Sequence, residues 1–293
     1  MKASVVVNAH TGTDVEQFRA AADSVLAQSH DDLELIVVVA DAPQVGETIE
    51  SRYGDHDDVR IVTVEVDEGL SSARNEGAEV ATGDIVVFTD DDVVADPEWV
   101  EALIEIYERE DPAGVGGNVK PIWPDGDPWY LPSEFNWLVG VMYDHFVDEQ
   151  RPQPVRNTFG CNISFDREAF LEAGGFRVDL GKNQEKPLQG EEAECCERID
   201  GEFWYTPDAL VEHRVDPGQL TLQYLFRRAF WQGFSKAALT EDTDSESSYL
   251  KYLLFRSIPR RLTQPSLRNL GQIPMVLVLT SLVGLGFVYG KLA

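Results

Sequence analysis

Residues 85–92 read Ile-Val-Val-Phe-Thr-Asp-Asp-Asp, a short apolar run that ends in three acids. An uninterrupted apolar run of this length is typical of a strand that is covered on both faces. Acids that directly follow such a strand lie in the crevice where open α/β sheets bind ligands. Because Asp90, Asp91 and Asp92 repel one another, the cluster favours a compensating cation with oxygen ligands, Mg²⁺ or Mn²⁺. A solvated acidic turn or helix cap is the alternative interpretation.

The alternation of apolar strand and amphipathic helix extends through the first hundred residues. Apolar runs predict further strands at 3–8, 35–39 and 59–64. Helical spacing of apolar residues predicts helices at 14–28, 43–53, 71–81 and 97–109. This order predicts an α/β fold with a mainly parallel central sheet and right-handed crossovers.

Two glycine-containing stretches precede the three acids. Residues 69–77 read Gly-Leu-Ser-Ser-Ala-Arg-Asn-Glu-Gly, and residues 81–84 read Ala-Thr-Gly-Asp. Together with the acids they resemble the motif of glycosyltransferase family 2. Further stretches that resemble the family are Ser4–Asn8, Ser24–Gln28, Gly174–Phe176 and Gly190–Glu194 with Arg198. The resemblance covers residues 3–215, and the whole chain looks most like haloarchaeal members linked to lipid-carried glycans for S-layer N-glycosylation.

The resemblance implies a GT-A fold and an inverting transfer of a hexosyl or hexuronosyl group from a nucleotide-diphosphate sugar. Such a transfer needs a general base on the acceptor hydroxyl and stabilisation of the charge on the departing diphosphate. By motif position, Asp90 would contact the ribose and Asp92 would hold the metal ion. The base falls on Glu192, with Glu191 as the alternative. The residues that the resemblance assigns to the nucleotide sugar are Asn8, Asp41, Arg74, Asn75, Asp90 and Asp91.

Several of these assignments have an alternative. Asp91 has a structural role as its alternative, and Arg74 is expected at either the sugar or the diphosphate. His213 is expected near the metal ion, as the resemblance implies, whereas a lone histidine otherwise favours a structural role. The family's usual pair of aspartates after the second strand is reduced here to Asp41. Recognition of uracil and use of a non-uridine donor therefore both stay open.

The charge of the chain is unevenly distributed. The formal net charge of −28 divides into −34 for residues 1–248 and +6 for residues 249–293, which contain no acid. An acidic body excludes a general nucleic-acid binder, because phosphate contacts need clustered Lys and Arg. The acidity also favours a surface adapted to high salt. The basic end predicts a different partner, a membrane surface.

Residues 273–290 are apolar apart from Thr280 and Ser281. At about 1.5 Å per residue this segment is slightly shorter than the roughly 30 Å hydrocarbon core of a bilayer. It is therefore predicted to span the membrane, to insert partly, or to be a buried helix. Four arginines precede it, each worth about 1 kcal/mol at an anionic membrane surface, which favours membrane association.

The predicted domains are a GT-A catalytic domain at 1–215, a helix with an acidic linker at 216–248, and a membrane-associated tail at 249–293. Within the catalytic domain, residues 1–119 form the nucleotide-sugar-binding half and residues 120–215 the half that carries the acceptor and the base. Three cysteines without a CxxC pattern and the lack of a signal-like N-terminus predict a reducing compartment. The catalytic domain is therefore expected on the cytoplasmic side of the cell membrane.

The combined expectation is transfer of a sugar to a polyisoprenyl-phosphate-linked saccharide, such as a dolichol-linked one. Transfer to another cell-surface polysaccharide or glycolipid is one alternative, and a non-catalytic scaffold for a membrane glycosylation complex is another. A phosphatase of the haloacid dehalogenase type would need its Asp motif after the first strand of the domain, whereas the acids follow the fourth strand-like run. A dinucleotide dehydrogenase would need GxGxxG after a strand, which the sequence lacks.

Overall fold

The computed structural model describes residues 1–66, 68–143, 147–148, 150–180, 190–239 and 244–292. Among these residues, nine strands form one sheet in the order β3-β2-β1-β4-β8-β6-β9-β5, with β7 paired to β9. The strands are β1 (Ala3–His10), β2 (Leu33–Ala40), β3 (Val59–Val64), β4 (Ile85–Thr89), β5 (Val93–Ala95), β6 (Gly114–Ile122), β7 (Gln153–Val155), β8 (Ile163–Asp166) and β9 (Phe203–Arg214).

The described residues also form helices. They are α1 (Val15–Leu26), α2 (Pro43–Tyr53), α3 (Leu70–Val80), α4 (Trp99–Glu110), α5 (Arg167–Glu172), α6 (Glu191–Arg198), α7 (Leu222–Leu239), α8 (Asp244–Tyr252), α9 (Ile258–Thr263) and α10 (Leu267–Leu292). Short 3-10 segments occur at Ser133–Val139 and Pro217–Leu220, and a π-helical segment at Leu253–Ser257 joins α8 to α9.

The α/β class predicted from the sequence is confirmed, but the sheet is mixed. Strands β3, β2, β1 and β4 are parallel, as the alternation with helices predicted. Beyond β4 the pairings of β8, β6, β5 and β9 are antiparallel. Antiparallel neighbours need no helical crossover, which is why the strand–helix alternation disappears from the sequence after α4.

Apolar side chains fill both faces of the parallel half. On one face, the rings of Phe88, Phe165, Phe170 and Phe176 pack with centroids 4.9 to 6.1 Å apart. Helix α3 lies against β1 at Gly77, where an added Cβ would collide with Val6. This close approach explains the glycine and holds the residues of α3 against the strand that precedes the first loop of the site.

The chain divides into two compact units. One comprises the described residues within 1–120, 148–185 and 191–213, and the other those within 121–147, 186–190 and 214–293. The predicted assignment of donor, acceptor and base functions to halves of the catalytic domain remains a prediction. The predicted acidic linker is partly helical, because α8 already begins at Asp244, and Glu241–Thr243 lie outside the described residues.

In the second unit, a buried ion pair joins α9 to the 3-10 segment Ser133–Val139. The Arg261 guanidinium donates to both carboxylate oxygens of Glu134 at 2.7 and 2.8 Å. It also donates to Ser257 Oγ at 2.6 Å and to Gln272 Oε1 at 3.1 Å. The Gln272 amide in turn donates to the Trp129 carbonyl at 2.9 Å. All three nitrogens of Arg261 are bonded, so the pair is fully satisfied.

Candidate functional site

The site lies at the carboxyl ends of the parallel strands. Strands β1 and β4 are neighbours with Val7 opposite Thr89, so the residues that follow, Asn8 and Asp90, come to the same edge. Strand β2 lies on the other side of β1, with Ala40 opposite His10, and ends at Asp41. The topology therefore brings three of the predicted donor-binding residues to one edge of the sheet, as expected for a ligand crevice in an α/β fold.

Arg74 on α3 connects two of the predicted site acids. Its guanidinium donates to Asp90 at 2.9 Å, to Glu192 at 3.2 Å and to the Gly160 carbonyl at 3.0 Å. The side chain is 1% exposed, and its guanidinium carbon lies 5.7 Å from the centroid of the Phe176 ring. The expectation that Arg74 holds the sugar or the diphosphate remains a prediction. Its contacts hold the acid after β4 and the first turn of α6 together.

Charge around Arg74 keeps it protonated. Burial alone would lower the Arg74 pKa, but the carboxylates of Asp90, Glu192 and Glu191 outweigh burial and raise it above its usual range. The approach of Glu192 depends on Gly160, where an added Cβ would collide with the Glu192 carboxylate. Glycine at this position leaves the space that Glu192 occupies beside Arg74.

The two candidate bases have different surroundings. Glu191 is buried, whereas the Glu192 side chain is 20% exposed and bonded to Arg74. Both lie in the first turn of α6, at the positive end of the helix dipole. Only Glu192 combines exposure to incoming solute with a fixed orientation, which is the geometry expected of a base that meets an acceptor.

Asp91 faces the first loop of the sheet. Burial raises its pKa, which its hydrogen bond with Thr13 opposes, and the neighbouring Asp92 and Asp90 raise it further. Thr13 also accepts a hydrogen bond from the backbone N–H of His10 at 2.9 Å. Asp91 therefore ties the acidic turn to the loop between β1 and α1, in agreement with the structural alternative considered for it.

Asp92 lies beside His213, as the antiparallel pairing of β5 and β9 requires. Val93 is opposite His213 in that register, and His213 Nε2 lies 3.3 Å from Asp92 Oδ2. The other oxygen of this carboxylate, Oδ1, is buried and has no hydrogen-bond partner. A buried carboxylate oxygen without a partner is costly, so this atom marks a place for a ligand.

The donor atoms at Asp92 and His213 fit a divalent cation. Carboxylate oxygen and imidazole nitrogen together suit Mn²⁺, and a carboxylate with substrate phosphates is the usual environment of Mg²⁺. Among the residues that the structure describes, no group of three or more His, Cys, Asp and Glu has the arrangement of a metal site. Two protein ligands plus phosphate oxygens from a nucleotide would complete the coordination.

Two further polar side chains at this edge lack partners. Both the amide nitrogen and the amide oxygen of Asn8 are buried without a hydrogen bond, as is the hydroxyl of Thr89. The sequence assigned Asn8 to the donor but not Thr89. Because buried polar groups are almost always bonded in native proteins, these atoms indicate a polar ligand at the ends of β1 and β4.

Asn75, also assigned to the donor, is used within the protein. Its amide accepts from the Phe176 backbone N–H at 2.8 Å and donates to the Phe176 carbonyl at 2.7 Å. From α6, Arg198 donates to the Gly175 carbonyl at 2.7 Å and to Ala173. Both side chains therefore hold the Gly174–Phe176 turn.

Asp41 ends β2 in a left-handed conformation with φ of 43°. Its side chain is exposed, and its backbone N–H donates to the Val64 carbonyl at 3.0 Å. Aspartate tolerates this conformation better than most residues, and it turns the chain away from the sheet. The predicted contact with the base of the nucleotide remains a prediction.

Comparison with known proteins agrees with this arrangement. The sequence model of the family "Glycosyl transferase family 2" matches residues 4–174. The chain is 38% identical over 305 residues to the glucosyl-dolichyl phosphate glucuronosyltransferase of Haloferax volcanii, covering 100% of this chain and 97% of that one.

Two solved structures share the fold. The mannosyltransferase from Pyrobaculum calidifontis in complex with GDP-Man and Mn²⁺ superposes with a TM-score of 0.64 at 17% identity, over 99% of this chain and 87% of that one. GalNAc-T7 with UDP, GalNAc and Mn²⁺ gives a TM-score of 0.59 at 16% identity, over 90% of this chain and 58% of that one. At these identities the likeness shows the fold alone.

Proposed function

Because the chain belongs to glycosyl transferase family 2 and is a glycosyltransferase with a GT-A fold, we propose that it moves a hexosyl or hexuronosyl group from a nucleotide-diphosphate sugar to a dolichol-phosphate-linked saccharide. The main support for the donor site is the set of unpaired buried polar atoms on Asn8, Thr89 and Asp92. The support for the acceptor is the relative from Haloferax volcanii, whose name gives a glucosyl-dolichyl phosphate acceptor and a glucuronosyl group.

In this proposal Asp92 and His213 hold a divalent cation, Mn²⁺ or Mg²⁺, against the diphosphate. When bound, the cation would stabilise the negative charge that develops on the departing nucleoside diphosphate. Asn8 and Asp90 contact the nucleoside and ribose, and Asp41 contacts the base. The Mn²⁺ in the two solved structures is consistent with such a cation.

Glu192 is the general base of the proposed transfer. It removes the proton from the acceptor hydroxyl while the hydroxyl oxygen forms a bond to the anomeric carbon. The bond from that carbon to the diphosphate oxygen breaks on the opposite face, so the configuration inverts. Arg74 orients the Glu192 carboxylate for this step through the hydrogen bond at 3.2 Å.

The setting of the reaction is the cytoplasmic face of the cell membrane, and the pathway is S-layer protein N-glycosylation in a salt-adapted cell. Helix α10 is long and apolar enough to cross a membrane by length and composition, with a mean hydropathy of 2.0. Synthesis of another glycolipid is a second candidate that shares the same donor chemistry. A non-catalytic scaffold is less consistent with Asp92 and Glu192, which both retain their carboxylates.

A donor screen tests the function. Purified full-length protein is incubated with Mn²⁺, glucosyl-dolichyl phosphate and each of several uridine and guanosine diphosphate sugars. The mass of the lipid product is then measured by mass spectrometry. We expect a mass increase of one hexuronosyl residue with UDP-glucuronic acid and none with the Glu192→Gln variant. A product formed only with a different donor would change the assignment of the transferred sugar. The lack of any product on glucosyl-dolichyl phosphate would contradict the acceptor assignment.

A further inference from the structure

The last helix of the chain has two faces that differ in their surroundings. One face of α10 packs against α7 and includes the buried residues Val276, Leu279 and Gly286. The other face is exposed along its whole length and apolar. Its large exposed side chains are Leu277, Val278, Leu285, Val288, Tyr289 and Leu292. Ser281 and Gly284 lie between them on the same face, with no charged residue in this set.

The contacts of two glycines show the relative orientation of α7 and α10. Gly286 lies against the backbone of Phe230 and Phe234, and Gly290 lies one turn further, against Phe234 and Ala237. The contacts therefore advance together along both helices, which means that the helices run in the same direction. Their C-terminal ends, near Leu239 and Leu292, lie side by side.

The chain returns quickly from that common end. Ten residues after Leu239, the ring of Tyr249 packs 6.3 Å from that of Phe135, next to Glu134. Glu134 is bonded to Arg261, and Arg261 to Gln272 near the beginning of α10. Tyr249 is thus linked by contacts to the beginning of α10, whereas Leu239 lies at its end, and these ends are about 30 Å apart from Gln272 to Leu292 at 1.5 Å per residue.

The return segment has the wrong composition for a membrane interior. Residues 240–248 read Thr-Glu-Asp-Thr-Asp-Ser-Glu-Ser-Ser and contain four acids and no basic residue. If α10 crossed the bilayer, its parallel partner α7 would cross with it, and the chain between Leu239 and Tyr249 would have to bring these four acids back through the hydrocarbon at a high free-energy cost. Helix α10 therefore has the length to cross, but its parallel packing with α7 disfavours it.

We propose that α7 and α10 lie as a pair along the membrane surface, with the exposed apolar face of α10 immersed in one leaflet and both ends of α10 on the same side. This inference rests on the membrane association proposed above. The occupant of the apolar face is the lipid leaflet. A helix in this position buries its apolar face to a depth of about 5–10 Å at the boundary of headgroups and acyl chains.

The neighbouring helices of the same unit support a lipid occupant. In the π-helical segment between α8 and α9, Phe255 is 73% exposed, and Leu267, the first residue of α10, is 94% exposed. Lys251, Arg256 and Arg260 are exposed among them, and no acid follows Glu246. Exposed apolar side chains interspersed with basic ones complement a layer of anionic headgroups over acyl chains.

Sided labelling tests the proposal. The full chain carrying Leu292→Cys or Gln264→Cys is bound to sealed vesicles of phosphatidylcholine and phosphatidylglycerol and treated with a membrane-impermeant maleimide. The wild-type chain is the control, because Cys161, Cys195 and Cys196 are buried. We expect both variants to be labelled to a similar extent without detergent. Labelling of position 292 only after detergent would show that α10 crosses and would overturn the inference.

A nitroxide scan along Leu277, Ser281, Gly284, Leu285 and Val288 gives a second measurement. A helix in the plane of the membrane places these positions at a similar depth, with oxygen accessibility that oscillates with the helical period when neighbouring positions are added. A steady change of depth along the series would overturn the proposal, as would spin–spin broadening from a second copy in place of lipid. Failure of the chain to sediment with vesicles would instead contradict the membrane association itself.

Discussion

Each of the two units contains a buried arginine that is paired with carboxylate, and the two clusters differ in how completely they are bonded. Arg261 uses every nitrogen, and its partner Glu134 has both oxygens occupied. Arg74 is equally buried, but its Nε has no partner, and nearby Asp92 Oδ1 and the Asn8 amide are unpaired too. A cluster that only holds helices together satisfies its polar atoms internally, whereas one that takes a ligand leaves some of them unsatisfied.

The largest expected effect is a loss of transfer activity on substitution of Asp92, in the cluster around Arg74 that has unpaired polar atoms. Replacing Asp92 with Ala removes the carboxylate that would hold the cation at the diphosphate, so transfer should fall by about 10³-fold or more. Rates are measured over a titration of Mn²⁺, with Asp208→Ala as the control, because Asp208 is an exposed acid on the same strand as His213. Full activity of Asp92→Ala at saturating Mn²⁺ would refute the metal assignment.

The Glu192→Gln substitution should abolish sugar transfer but leave binding of the nucleotide sugar intact. Glutamine keeps a hydrogen bond to Arg74 but accepts no proton, so the rate constant for transfer should fall by about 10²–10⁴-fold. Binding of the nucleotide sugar, measured by calorimetry, should stay within a factor of about 2 because the interaction with Arg74 persists. Glu191→Gln is the matched control. If only the control loses activity, the base is Glu191.

Breaking the satisfied cluster should cost stability. Arg261→Met leaves the Glu134 charge buried without its partner, which costs about 3–5 kcal/mol of unfolding free energy. The double variant Arg261→Met, Glu134→Leu removes both charges and should recover most of that loss. Denaturation followed by tryptophan fluorescence measures both. Equal losses in the single and double variants would mean that packing, and not charge, dominates.

Asn75 and Asn8 allow a direct comparison, within the first unit, of an amide that is bonded in the protein with one that has no partner. Asn75→Ala leaves the Phe176 backbone groups unpaired and should lower the unfolding free energy by about 1–3 kcal/mol. Asn8→Ala removes an amide without a partner, so stability should change by less than about 0.5 kcal/mol. Affinity for a nucleoside diphosphate should fall in Asn8→Ala. A stability loss in both variants would show that Asn8 is already bonded in solution.

The smallest effect is a pH dependence. Burial alone would raise the pKa of Glu134, but its hydrogen bonds from Arg261 and Ser257 outweigh burial and lower it below its ordinary value of 4.5. Between 4.5 and the lowered value the unfolded chain binds more protons than the folded one, so stability falls as pH falls through this window. The extra slope is at most about 1.4 kcal/mol per pH unit. Glu134→Gln should remove it from an acid denaturation curve, and identical slopes would contradict the assignment.

Local pattern was sufficient for the parallel half of the fold. The run at 85–89 coincides with β4, and helix 71–81 lies within one residue of α3 at both ends. The apolar runs are continuous because these strands are buried on both faces. Beyond α4 the pattern fails, since β6 contains three glycines and β5 is only three residues long. Such strands are stabilised by neighbours distant in sequence.

The sequence predicted which residues would form the site but not which side chains would contact one another. The motif located the acids, and the ends of parallel strands placed them at one edge. The contacts of Arg74 with Glu192, 118 residues away, depend on the packing of α3 against α6 and have no local signal. The same holds for Arg198 and Thr13, which the sequence analysis did not select as functional. The fold was also needed to distinguish Asn75, whose amide is bonded within the protein, from Asn8, whose buried amide has no partner.

Asp90 and Glu192 share the guanidinium of Arg74, so the electrostatic potential near Arg74 changes during the reaction. In its proposed role, Glu192 becomes neutral when it takes the proton of the acceptor. At that moment Arg74 loses the charge of one of the two carboxylates bonded to it, and its positive potential is no longer cancelled on that side. The potential rises at the edge of the sheet in the same step in which the leaving diphosphate becomes more negative. Proton transfer at one end of the site would thereby strengthen the attraction for the leaving group at the other, without movement of any helix.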